Sequence, residues 1–215
     1  MVYLTSQVWF PPVSDASEEG LLALGGDLSV ERLLLAYQSG IFPWYEEGQP
    51  ILWWSPNPRM VLFPHQLKVS KSLKKIIASG RYKVTFNQDF SNVIQQCASS
   101  KRKGQKGTWI TSKMIEAYQL LHKMGYAVSV EVWEEDLLVG GLYGIDLAEK
   151  KIFCGESMFS NESNASKVGF YHWVEKLKMD NYKLIDCQVF TNHLHSLGAE
   201  EISREDFIKF LNFER

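Results

Sequence analysis

A chain of 215 residues that is 45% hydrophobic and 13% aromatic has ample material for a large core, which excludes a disordered or fibrous protein and leaves one long domain or two short ones. A formal charge of −2 excludes a chain that is basic throughout, although nucleic-acid binding needs only a local patch. Cys97, Cys154 and Cys187 are odd in number and far apart, so reduced core thiols are expected rather than a disulfide scaffold or a cysteine zinc site.

Met1-Val2-Tyr3-Leu4-Thr5 lacks a basic n-region and an apolar h-region, and no run reaches the roughly 18 apolar residues of a membrane span. A soluble, cytoplasmic protein is expected. The five histidines form no HExxH, and His193 and His195 lack a ligand partner at metal spacing, so no metal is expected.

In chain order, the run DLSVERLLLAYQSG predicts a helix capped by Ser29 and closed by Gly40. From Ile41 to Arg59, Trp44, Tyr45, Trp53 and Trp54 stand among Pro43, Pro50, Pro56 and Pro58. That is too many prolines for a regular element and too many aromatics for an ordinary loop, which predicts a rigid aromatic-lined segment. Short strands are predicted at 60–64 and 81–86. Between them Ser70 caps a helix whose Lys71, Lys74 and Lys75 continue a basic face from Lys68. Residues 1–90 thus form a small mixed N-terminal domain. A second basic cluster, Lys101-Arg102-Lys103-Gly104-Gln105-Lys106, precedes Trp109. A solvated face is the commoner reading of either cluster alone, and two of them flanking an aromatic segment strengthen the case for a nucleic-acid surface.

Residues 91–215 are more regular. Thr111 caps a helix carrying Met114, Tyr118 and Leu121 on one face and ending at Gly125. YAVSVEVW, LLVGGLYGI and KIFCGESMF then read as an antiparallel meander. A helix starting at Asn164 or Ser166 runs to about Lys178, YKLIDCQVF follows as a strand, and a last helix begins near Ser203. This α+β order resembles the GNAT acyltransferases, whose acyl donor enters between two central strands that splay apart. Their pyrophosphate-binding turn, Q/R-x-x-G-x-G/A, is absent: no glycine follows Phe159 until Gly169, so acetyl-CoA is not expected as donor.

Glu156 in GESMFS and Asp186 and Gln188 in LIDCQ set polar tips inside apolar strand-like runs. Alternation puts Asp186 and Gln188 on one face and Ile185, Cys187 and Val189 on the other. Buried carboxylates are costly unless used or paired. The bland alternative is that they satisfy backbone donors. The three together suit a reaction in which an amine is held and relieved of a proton, without a covalent nucleophile.

The blocks GLLALGGDLS, GIFPWY, ILWWSPNPR, GTWIT, EVW, LVGGLYGI, FCGESMFS, NASK, LIDCQ and SLGAEEI, in this order over nearly the whole chain, closely resemble the bacterial leucyl/phenylalanyl-tRNA–protein transferase family. The resemblance implies transfer of Leu or Phe, and less well Met, from aminoacyl-tRNA to the α-amine of proteins beginning with Arg or Lys. The product is marked for degradation in the N-degron pathway. It implies that Trp44 and Trp109 stack on the terminal adenine of the tRNA, and that Leu142, Met158, Phe170 and Ile185 line the pocket for the transferred side chain. Lys71, Lys75 and the neighbouring Lys74 would contact the tRNA backbone. The donor ester is already activated, so no cofactor is expected. Asp186 would take the proton of the acceptor amine, with Gln188 and Glu156 holding Asp186, the amine or the acceptor's cationic side chain. A monomer is the default. Two readings compete: an acetyl-CoA-dependent N-acetyltransferase and a non-catalytic tRNA-binding module.

Overall fold

A computed structural model describes residues 2–100 and 108–212, and the basic cluster at 101–106 lies outside them. The first 54 residues build a four-stranded sheet from β1 (Val2–Leu4), β2 (Leu21–Gly25), β3 (Phe42–Pro43) and β4 (Leu52–Trp54), in the order β1-β2-β4-β3. Between β2 and β3 runs α1 (Val30–Gln38). Its N-cap Ser29 accepts from Arg32 N–H, and Gly40, at φ +76°, releases the chain from its C-terminal end. The rigid aromatic segment expected over 41–59 is therefore partly a hairpin. Proline is tolerated there because β3 is an edge strand of two residues.

The second sheet has seven strands in the order β11-β5-β10-β9-β8-β7-β6: β5 (Arg59–Leu62), β6 (Lys83–Phe86), β7 (Ala127–Glu134), β8 (Leu137–Leu147), β9 (Ile152–Ser160), β10 (Leu184–Gln188) and β11 (Glu200–Ile202). Its helices are α2 (Lys71–Ala78), α3 (Phe90–Ser99), α4 (Ser112–Lys123), α5 (Ala165–Met179), α6 (Asn192–Ser196) and α7 (Arg204–Asn212). The meander and the flanking helices follow the expected order, with Ser70, Thr111 and Asn164 at the caps. The expected division at residue 90 is not where the sheets divide. β5 and β6 precede that position yet pair with β10, β11 and β7 of the larger sheet. Ladder hydrogen bonding, which short strands cannot announce locally, decides their membership.

One face of the large sheet packs Leu142, Phe153 and Ile185 under Phe170 and Trp173 of α5. The other packs Tyr143, Cys154 and Leu184 against Tyr37 of α1, Tyr118 of α4 and Phe207 of α7. β9 and β10 are parallel neighbours only from Leu184↔Ile152 to Asp186↔Cys154; beyond that pair β9 continues to Ser160 and β10 ends at Gln188. A gap opens where the two strands separate.

Candidate active site

Both strands bulge at the gap. On β9, Gly144 faces Gly155 and Tyr143 faces Ser157, so Glu156 is the extra residue. A Cβ at Gly144 would overlap the Cys154 carbonyl and the Phe153 ring, so this crossing requires glycine. On β10, Asp186 faces Val61 and Gln188 faces Met60, so Cys187 is the extra residue, and Gln188 adopts a left-handed φ of +66°.

Asp186 and Gln188 flank the bulged Cys187, where simple alternation is interrupted, and their tips have different partners. Asp186 is 1% exposed and clamped in a fork by Arg59, with Nε to Oδ1 at 2.8 Å and Nη2 to Oδ2 at 2.7 Å. The Arg59 guanidinium lies between the Phe42 and Phe207 rings, 4.8 and 4.7 Å from their centroids. Oδ1 of Asp186 also accepts the Gln188 backbone N–H at 3.0 Å, which fixes the strained residue.

Gln188 Nε2 donates to Glu156 Oε1 at 2.7 Å, and the Tyr118 hydroxyl donates to Oε2 at 3.2 Å. Behind Tyr118, its hydroxyl is hydrogen-bonded to that of Tyr37. Burial pushes the Glu156 carboxyl up to about 7, while hydrogen bonds from Tyr37, Gln188 and Tyr118 draw it back and the Asp186 charge pushes it further up. Such a group changes protonation near neutrality.

A cavity of about 450 Å³ fills the gap. Leu142, Phe153, Met158, Phe170 and Ile185 form its apolar end, and its polar lining includes Glu156, Gln188, Ser157, Thr191 and His193. Among the described residues that line it, Glu156 is the only carboxylate; Asp186 lies behind the wall. Trp44 and Trp109 stand between this cavity and a second one of about 680 Å³ that also reaches Tyr45, Trp54, Thr108 and Ser112. The Trp54 indole N–H donates to the Trp44 carbonyl at 2.7 Å, and the Tyr45 hydroxyl lies 3.4 Å from Thr111 Oγ1, so the two tryptophan-bearing segments are tied together.

The family model for leucyl/phenylalanyl-tRNA protein transferase matches residues 61–212, and the model for its N-terminal domain matches 26–57. The chain belongs to the leucyl/phenylalanyl-tRNA protein transferase family. It is 59% identical over 98% of its length to the leucyl/phenylalanyl-tRNA–protein transferase of Christiangramia forsetii, all of which is covered, and 60% identical to that of Flavobacterium johnsoniae, with 98% and 99% covered. Among solved structures, a GCN5-related N-acetyltransferase from Kribbella flavida overlaps 79% of this chain and 60% of its own, with TM-score 0.36 and 7% identity.

For this transferase family member, the residues singled out by sequence fall into four groups. Glu156 and Gln188 meet on the cavity, while Asp186 reaches it only through Gln188. Leu142, Met158, Phe170 and Ile185 converge on its apolar end. Trp44, 37% exposed, and Trp109 lie at the join of the two cavities. Lys71, Lys74 and Lys75 are exposed on α2 and line neither cavity. Sequence reasoning missed Arg59, Tyr118 and Tyr37. An arginine opening the apolar run Met60-Val61-Leu62 is a signal of a buried cation; the tyrosines look like ordinary core on helix faces.

Proposed function

We propose that this chain transfers a leucyl or phenylalanyl group from aminoacyl-tRNA to the α-amine of a protein, with Glu156 as the group that takes the amine proton. The cavity supports this reading because an apolar end lined by Leu142, Met158, Phe170 and Ile185 sits beside a carboxylate that titrates near 7. Adenine would stack on Trp44 and Trp109, worth about 1 to 3 kcal/mol per base. The lysines of α2 would hold phosphates without reading sequence.

The acceptor ammonium gives a proton to the Glu156 carboxylate, and the freed lone pair attacks the ester carbonyl carbon. The resulting tetrahedral intermediate collapses with expulsion of the ribose oxygen of the terminal adenosine. That oxygen leaves with the second proton given up by the attacking nitrogen, and an amide remains. The ester supplies the driving force, so positioning is the protein's task. Asp186 enters as a positioning residue: held by Arg59, it fixes Gln188, which orients Glu156. We take the acceptors to begin with Arg or Lys, Met to be a poorer donor, and the product to enter the N-degron pathway. The widening between β9 and β10 is read as the donor entrance of a GNAT-like domain. Among the described residues no helix is long and apolar enough to cross a membrane, and no cluster of three metal-ligating groups occurs. A monomer in the cytoplasm is the working form.

The single observation that carries the proposal is the convergence of Glu156, Gln188 and the four apolar residues on one cavity. The test is transfer of labelled leucine from Leu-tRNA to proteins beginning with Arg, Lys or Ala. Label on the Arg and Lys acceptors, lowered about 10²- to 10⁴-fold by Glu156→Gln, is expected. tRNA binding without transfer would overturn the enzymatic reading, and full transfer by Glu156→Gln would overturn the role of Glu156.

A further inference from the structure

Lys167 lies on the first turn of α5, three residues before Phe170, and residues three apart share a helix face. Phe170 lines the cavity, so Lys167 stands one helical turn from its lining. His193 of α6 lines the same cavity, and partial burial together with the nearby Lys167 ammonium holds its imidazole below the usual range. On the other flank of α6, the Lys68 N–H donates to the Leu197 carbonyl at 2.8 Å, and the chain runs from there into α2 with Lys71, Lys74 and Lys75.

None of these five lysines forms an ion pair with a carboxylate among the described residues, whereas Arg81, Lys176, Lys178 and Lys209 each do. A strip of unneutralised cations therefore leads from α2, past α6, to the mouth of the cavity. Such a strip fits a polyanion and repels an acceptor that begins with Arg or Lys. We propose that Lys167 binds the phosphodiester next to the terminal adenosine of the donor, ending a phosphate track that starts on α2.

This inference rests on the proposed aminoacyl-tRNA substrate, so its test separates the two. Lys167→Gln is assayed with Leu-tRNA and with leucyl-adenosine, which keeps the ester and the base but has no phosphodiester. With Leu-tRNA, KM is expected to rise severalfold at unchanged kcat, and Lys167→Arg to restore it. With leucyl-adenosine the variant and wild type are expected to be equal. In binding assays with uncharged tRNA, the slope of log K against log salt is expected to flatten by about 0.7 to 0.9, the value of one phosphate contact. Equal losses on both donors, or an unchanged slope, would overturn the contact. Wild-type chain that binds tRNA with a Lys167-dependent slope but transfers from neither donor would preserve the contact and overturn the reaction.

Discussion

Gln188 donates its side-chain amide to Glu156 across 2.7 Å, tying together two bulged strands at the point where they separate. The link continues in both directions. Behind Gln188 lie Asp186 and Arg59; behind Glu156 lie Tyr118 and Tyr37. The result is a chain of polar contacts from β5 to α1 with the cavity at its middle. Only the middle pair faces the space a substrate can enter.

Glu156 should trade stability for activity. Its carboxyl is raised from 4.5 to about 7, so the folded state is favoured with Glu156 protonated. That stabilisation is complete below the ordinary carboxylate range and is lost as pH rises through about 7. Thermal melts should show Glu156→Gln more stable than wild type at pH 8, by up to about 3 kcal/mol, and equal to it near pH 4. Transfer should fall about 10²- to 10⁴-fold in the variant. The rise of the wild-type rate with pH near 7 should disappear.

Asp186→Asn leaves the Arg59 guanidinium buried without its counter-charge, which costs about 3 to 5 kcal/mol. Chemical denaturation should show this loss, and Arg59→Met in the same chain should recover part of it. Transfer should slow through misplacement of Gln188, while the pH dependence near 7 is retained. Loss of that limb in Asp186→Asn would return the role of base to Asp186.

Trp44→Ala and Trp109→Ala each remove one aromatic face at the join of the two cavities. KM for aminoacyl-tRNA should rise about 5- to 150-fold, the equivalent of 1 to 3 kcal/mol of stacking, with Phe at either position giving a smaller rise. Steady-state kinetics with varied donor would check this, and a fall in kcat at unchanged KM would count against stacking.

Donor preference should follow the volume of the apolar end. Phe170→Leu enlarges it and Leu142→Phe reduces it. The ratio of kcat/KM for Phe-tRNA to Leu-tRNA should rise in the first variant and fall in the second, each by about 10-fold, within the range one or two methylene groups can supply. Competition between the two donors in one reaction reads the ratio directly.

Local patterns along the chain reveal much of this protein. Period-3.6 and period-2 runs announce α1, α4, α5 and the meander, and Ser29, Ser70 and Thr111 mark helix starts because a side-chain oxygen is needed for unpaired backbone donors. Glu156, Asp186 and Gln188 stand out as polar groups in apolar runs, and the ordered blocks identify the family. Strands of two to five residues, such as β3 and β11, carry too short a pattern to be read, and whether β5 and β6 belong to the larger sheet depends on partners far away in the chain. Which carboxylate faces the cavity was likewise decided only by tertiary structure. The sequence resemblance casts Asp186 as the proton acceptor and Glu156 as a holding group, whereas the packing of Arg59 between Phe42 and Phe207 pairs Asp186 away from the cavity and leaves Glu156 facing it. A charge's availability depends on its nearest opposite charge and its access to water, and both are set by contacts more than a hundred residues apart in the chain.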